Sequence, residues 1–214
     1  MNKMNKIEIL QEFAKCCDKK MLNYYLYGKT LYDAMKHERL PENNQPLTVV
    51  MPREDFDRMH RYNEEKKISE KCELTGLNAG KGYLPYARFG VSKTQAIDIY
   101  PLDGIPSDEK KFQAHIDEIN TLKEQIDGSK KGIVAKIKGL FESKKPIAEQ
   151  IDKLARKYEF DEKEYVAVTV WNSEAPGKVN KADFLAPYII KIDGVKYNGT
   201  AAYYTYLTEY FGEL

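Results

Sequence analysis

Residues 28–56 read GKTLYDAMKHERLPENNQPLTVVMPREDF. Just before them, YYLY at 24–27 is a short aromatic strand candidate that stops at Gly28. From Thr30 to His37, Leu31, Ala34 and Met35 recur at helical spacing, which predicts a helix. A polar loop leads to LTVVM at 47–51, a buried-strand pattern ended by Pro52. Pro52 also opens a helix over 53–61, with Glu54 and Asp55 favourable in its first turn. A glycine at a strand-to-helix turn lets a ligand approach the backbone, and the helix N-terminus behind it offers N–H groups to a phosphate. Gly28 and Thr30 are therefore candidate phosphate contacts, with Lys29 adding charge. The plainer alternative is a glycine that only makes a turn.

Working outward, residues 5–20 carry Ile7, Leu10, Phe13, Ala14 and Cys17 on one helical stripe. Downstream, YLPYARFG (83–90) and AIDIYPL (96–102) read as neighbouring strands joined by a turn around Ser92–Lys93. The order strand, helix, strand, helix, strand, strand predicts an α/β fold, of α+β character, with mixed strand directions. Residues 107–163 break the pattern with three apolar stripes, 112–126, 133–141 and 147–154, separated by Gly128, Gly132 and Pro146. A helical insertion or cap explains them better than a coiled coil, because no heptad is sustained. β structure returns in YVAVTVW (165–171) and YIIKIDGVKY (188–197), the second turning at Asp193-Gly194. A tyrosine-rich helix over 201–211 follows. The expectation is one domain over 1–214 with the helical insertion at 107–163 inside it.

Of 214 residues, Lys and Arg number 34 and Asp and Glu 33, a net charge of +1 that argues against a protein built to bind nucleic acid. Aromatic residues at 12% argue against disorder. No apolar run approaches the ~20 residues of a membrane span, and MNKMNKIEIL lacks the features of a secretory leader. Three cysteines without framework spacing (Cys16, Cys17 and Cys72) read as reduced thiols, hence a cytoplasmic protein without a zinc site. Lys130, Lys131, Lys136, Lys138, Lys144 and Lys145 face a single acid, Glu142. Either they form a solvated helix or they give peripheral contact with an anionic membrane surface through Lys130–Lys145.

The blocks GKTLYDAMKH (28–37), MPREDF (51–56), IDIYPLDGIP (97–106) and IDGVKYNGTAAYYTYLTEYFGEL (192–214) together resemble the signature of the LicD family. The resemblance covers both ends and the middle of the chain, in order and at fitting spacing. It implies a nucleotidyltransferase-like mixed sheet with flanking helices. It also implies transfer of phosphocholine or a polyol phosphate from a CDP-linked donor to a cell-surface glycan or glycolipid acceptor. In that chemistry a pair of strand carboxylates two residues apart holds Mg²⁺, and a third carboxylate on an adjacent strand completes the site.

This sequence departs from that pattern. Counted from Gly28 without gaps, the family's Asp-Asp-Asp-Ile-Asp falls on Asn44, Gln45, Pro46, Leu47 and Thr48. The two metal positions become Pro46 and Thr48, which offer no carboxylate, while Asp98 remains at the third, as the candidate catalytic and metal residue. Lys29 replaces a glycine, and an ammonium there would bind phosphate without metal. Asp33 replaces another glycine, and Tyr204 an acid. Glu42 or Asp55 would restore an acid only through a slipped alignment that breaks the MPREDF match.

Other residues carry two readings each. Lys36 and His37 either assist a phosphate or end a surface helix, where cations are favourable. Arg53 either reaches phosphate or pairs with an acid. Arg88, on the strand before Asp98, either faces the cleft and holds a phosphate or serves structure. Asp98 sits between Ile97 and Ile99, so alternation turns it away from them. Asp103 in PLDG reads as a turn residue. His60 and His115 have no evident partners. Two functions follow: a LicD-like transferase with impaired catalysis, needing Mg²⁺ where active, and an inactive relative that binds a nucleotide or glycan or supports an active partner.

Overall fold

The computed structural model describes residues 4–41, 46–76, 84–92, 94–127, 145–170 and 177–212. Asn44, Gln45, the apolar stripe at 133–141 and the lysines from 130 to 144 lie outside them. The chain is a mixed α/β fold. Its order is α1 (Lys6–Lys20), β1 (Tyr25–Leu26), α2 (Gly28–His37), β2 (Leu47–Pro52), α3 (Arg53–Glu65), β3 (Glu73–Gly76), β4 (Ala87–Gly90) and β5 (Ala96–Ile105). Then come α4 (Glu109–Asp127), α5 (Lys145–Ala155), β6 (Tyr165–Ala167), β7 (Val179–Asn180), α6 (Lys181–Leu185), β8 (Pro187–Ile192), β9 (Val195–Thr200) and α7 (Tyr203–Phe211).

The main sheet runs β1-β2-β5-β4-β3, with β6 paired to the last residues of β5 and β7 paired to β6. Strands β2 and β5 are parallel; the other pairings are antiparallel. All ten residues of β5 are buried, as expected of a central strand covered on both faces. Helix α1 begins with a capping box, in which Asn5 Oδ1 accepts from the Glu8 N–H at 2.9 Å and Glu8 Oε2 accepts from the Asn5 N–H at 2.7 Å. Its Phe13 meets Phe89 of β4 and Tyr24 edge-on, with centroids 5.5 and 5.4 Å apart. That contact places α1 on the sheet face of Phe89 and Ile97, which are register partners. The β8-β9 hairpin turns at Asp193 and Gly194, both at positive φ, as the Asp-Gly pair leads one to expect.

Several boundaries differ from the sequence reading. Helix α2 starts at Gly28, two residues early, and α7 starts at Tyr203. The strand expected over 165–171 stops at Ala167, and only Ala87–Gly90 of YLPYARFG forms β4. Strand β3 has no counterpart in the sequence reading: it is a four-residue strand at the sheet edge, and its alternation of open and buried positions is too short to stand out. The expected turn at Asp103 does not form there. Asp103 is 1% exposed within β5. Arg53 donates to it from Nε at 2.6 Å, and the Thr169 hydroxyl donates to its other oxygen at 2.8 Å. Arg53 Nη1 also donates to Asp152 at 2.9 Å, and Arg156 joins Asp152 to Asp57. This buried ion network ties α3, β5 and α5 together. Asp55 is likewise structural, accepting from the backbone and side-chain N–H groups of Asn23 and from Arg58.

Candidate functional site

The turn between β1 and α2 is closed onto β2 at one residue. The Tyr27 N–H donates to the Thr48 carbonyl at 3.1 Å, and the Thr48 N–H donates to Thr30 Oγ1 at 2.8 Å. Between them Gly28 has φ +53°, a left-handed conformation that a side chain would strain. Behind the turn, Tyr206 of α7 stacks on Tyr27 with centroids 5.0 Å apart, and its phenol lies against the Gly28 backbone. No side-chain hydrogen bond caps α2 at Tyr27.

From Thr48 the sheet carries the site sideways. Thr48 is the parallel register partner of Asp98, and Asp98 the antiparallel partner of Arg88. Three residues on three adjacent strands therefore share one face, each strand about 5 Å from the next. The alternation expected for Asp98 is realised. Its Oδ1 accepts from Arg88 Nε at 2.7 Å. Burial pushes the Asp98 carboxyl up, and the Arg88 guanidinium, then Lys6, pull it back. Arg88 is more open, its side chain 30% exposed. It rests against the Tyr86 ring, 5.7 Å from the centroid, and its Nη2 donates to the Tyr86 hydroxyl at 3.3 Å. Tyr86 in turn stacks on Tyr100 with centroids 4.5 Å apart. Sequence reasoning missed both tyrosines. Their even positions, two from Arg88 and two from Asp98, were the available signal.

The structure thus joins Gly28, Thr30, Thr48, Asp98 and Arg88. Pro46 is exposed, just ahead of β2. Lys29 does not stand alone. Its ammonium bonds Asp33 at 2.9 Å, one helical turn on, and lies over the Tyr32 ring. The two positions that depart from the resembled glycines are therefore partners. Lys36 and His37 are exposed at the far end of α2, about 12 Å along the axis from Gly28. They gather around Tyr32, with Lys36 over its ring at 5.1 Å and the His37 ring edge-on at 6.1 Å. Arg53 is committed to Asp103 and Asp152, away from this row. Cys72 is buried and its thiol pushed up to about 11 by burial, which leaves it a poor nucleophile.

The donor set does not suit Mg²⁺. A hard divalent ion needs several oxygens, carboxylates foremost. Here the row offers one carboxylate, already bonded to a guanidinium, and a neutral threonine hydroxyl. Among the described residues no group of three or more His, Cys, Asp and Glu side chains converges as a metal site would. None of the helices among those residues is long and apolar enough to cross a membrane.

Away from the row, His60 of α3 is 3% exposed, and neither ring nitrogen has a hydrogen-bond partner among the described residues. Burial is the main cause that lowers its pKa to about 4. The unfolded chain, with an ordinary histidine near ~6.5, then takes up a proton that the fold refuses. The associated stability is complete above that unfolded value and is lost as pH falls toward 4. Between pH 7 and pH 5 the loss is expected to reach about 2 kcal/mol from this residue. Urea melts of His60→Leu should show a correspondingly shallower dependence over that interval. An identical slope in both proteins would refute the assignment.

No protein-family model and no curated protein gives a significant match to the chain.

Proposed function

We propose that this chain is a LicD-like protein that binds a CDP-linked donor such as CDP-choline at the Gly28 turn, without the metal clamp that transfer requires. The glycine turn, the N-terminus of α2 with no side-chain cap, and the neighbouring cation Arg88 suit a phosphate. One observation carries the choice between binding and catalysis: the carboxylate of Asp98 is engaged by Arg88, and its partner across the strand is Thr48. A row so constituted lacks the paired carboxylates that would hold the ion offsetting charge on a breaking phosphoanhydride. A cytoplasmic location and a glycan or glycolipid acceptor, or an active partner to which the donor is presented, belong to the same reading.

The test is calorimetric titration of the full chain with CDP-choline in EDTA and again with MgCl₂. Affinities agreeing within about twofold, with no phosphocholine released, are expected. Binding that needs Mg²⁺ and is accompanied by turnover would return the chain to the transferases. Failure to bind in either buffer would remove the nucleotide from the reading.

A further inference from the structure

We infer that Arg88 is the cation that receives the ligand's diphosphate, with Asp98 as its internal counter-ion and not a metal ligand. This rests on the nucleotide-binding reading above and adds to it the group that does the binding.

Three observations converge on Arg88. First, its guanidinium is held from two sides, by Asp98 at Nε and by Tyr86 at Nη2 and along the ring. A fork whose orientation is already set loses little further freedom when it binds an anion. Second, Nη1 makes no hydrogen bond among the described residues, and the side chain is 30% exposed. Donors therefore remain for a bidentate grip on phosphate oxygens. Third, the row runs without interruption from Thr30, whose hydroxyl holds the Thr48 N–H, through Thr48 and Asp98 to Arg88. Two strand spacings, about 10 Å, separate the Thr48 and Arg88 backbones, and the long Arg88 side chain shortens that span.

Charge decides how the row works. Thr48 contributes none, so Arg88 and Asp98 sum to zero, and a diphosphate can approach without a divalent ion to neutralise a carboxylate cluster first. Asp98 still repels the incoming anion and competes for the guanidinium. Removing its charge while keeping its shape should then improve binding. A carboxylate serving a metal would behave in the opposite way.

The experiment is titration of the wild-type chain, Arg88→Gln and Asp98→Asn with CDP-choline, and separately with inorganic pyrophosphate, all in EDTA, after thermal melts of each protein. Arg88→Gln should weaken both ligands by about tenfold or more, the scale of one lost charge-assisted contact. Asp98→Asn should tighten both by several-fold. If Arg88→Gln melts early, Arg88→Lys replaces it; retaining the charge but losing the fork, it should still weaken binding several-fold. Wild-type binding that Arg88→Gln or Arg88→Lys leaves unchanged would overturn the role of Arg88 and leave the nucleotide reading standing. Loss of binding in Asp98→Asn would overturn the counter-ion role. A wild-type chain that binds neither ligand would overturn both the inference and the reading beneath it.

Discussion

Arg53→Met is expected to destabilise the protein by about 3–5 kcal/mol, the cost of leaving a buried charge without its partner. Arg53 has an 8% exposed side chain, and Asp103, to which it is bonded, is 1% exposed. Burial already pushes the Asp103 carboxyl up, and Arg53, then the Thr169 hydroxyl, draw it back. Without the guanidinium, Asp103 keeps the Thr169 hydrogen bond and faces Asp152, whose remaining cation is Arg156. The melting temperature should fall by about 10 °C for a chain of this size. The double variant Arg53→Met with Asp103→Leu should recover about 2 kcal/mol or more, because the stranded charge goes with its partner. A single variant melting within 2 °C of wild type would show that the network contributes little. The outcome bears on the site, since this network anchors β5, the strand that carries Asp98, to α3 and α5.

The second large effect is expected at Gly90, the last residue of β4. A Cβ there would overlap the Gln95 carbonyl oxygen and approach the Ala96 Cα at 2.5 Å. Both neighbours belong to the tight connection into β5, where the Val91 N–H donates to the same Gln95 oxygen at 3.0 Å. Backbone cannot yield as a flexible side chain does, so Gly90→Ala must shift the β4–β5 pairing. The expected cost is about 3 kcal/mol or more. It should also separate Arg88 from Asp98, whose ion pair depends on that register. The variant should lose affinity for CDP-choline even at temperatures where it remains folded. A Gly90→Ala protein with wild-type melting and wild-type affinity would mean that the turn adapts without disturbing the row.

Much of the fold was legible because its signals are local. The apolar periods of α1 and α2, the β2 run closed by Pro52 and the Asp193-Gly194 turn each need only a few neighbouring residues to be understood. The polar side chains were harder to read. Asp103 looked like a turn residue because Pro-Leu-Asp-Gly is turn-like in isolation, yet its two buried partners lie 50 and 66 positions away. Lys29 and Asp33 were legible in principle, since a separation of four on a helix brings charges together. Tyr86 and Tyr100 gained meaning only when strand register set them beside Arg88 and Asp98.

By itself, the order of residues determined roughly where most of the strands and helices lie, that the carboxylate at position 98 turns away from its apolar neighbours, and that positions 46 and 48 offer no acid. Only the tertiary structure decided that Thr48, Asp98 and Arg88 form one row closed against the Gly28 turn, and that Asp98 is already bonded to Arg88. The physical reason is range. Periodicity and turn chemistry act over a few residues, whereas a charge is satisfied by whatever lies within hydrogen-bonding distance of it, and that depends on how distant strands come to pair.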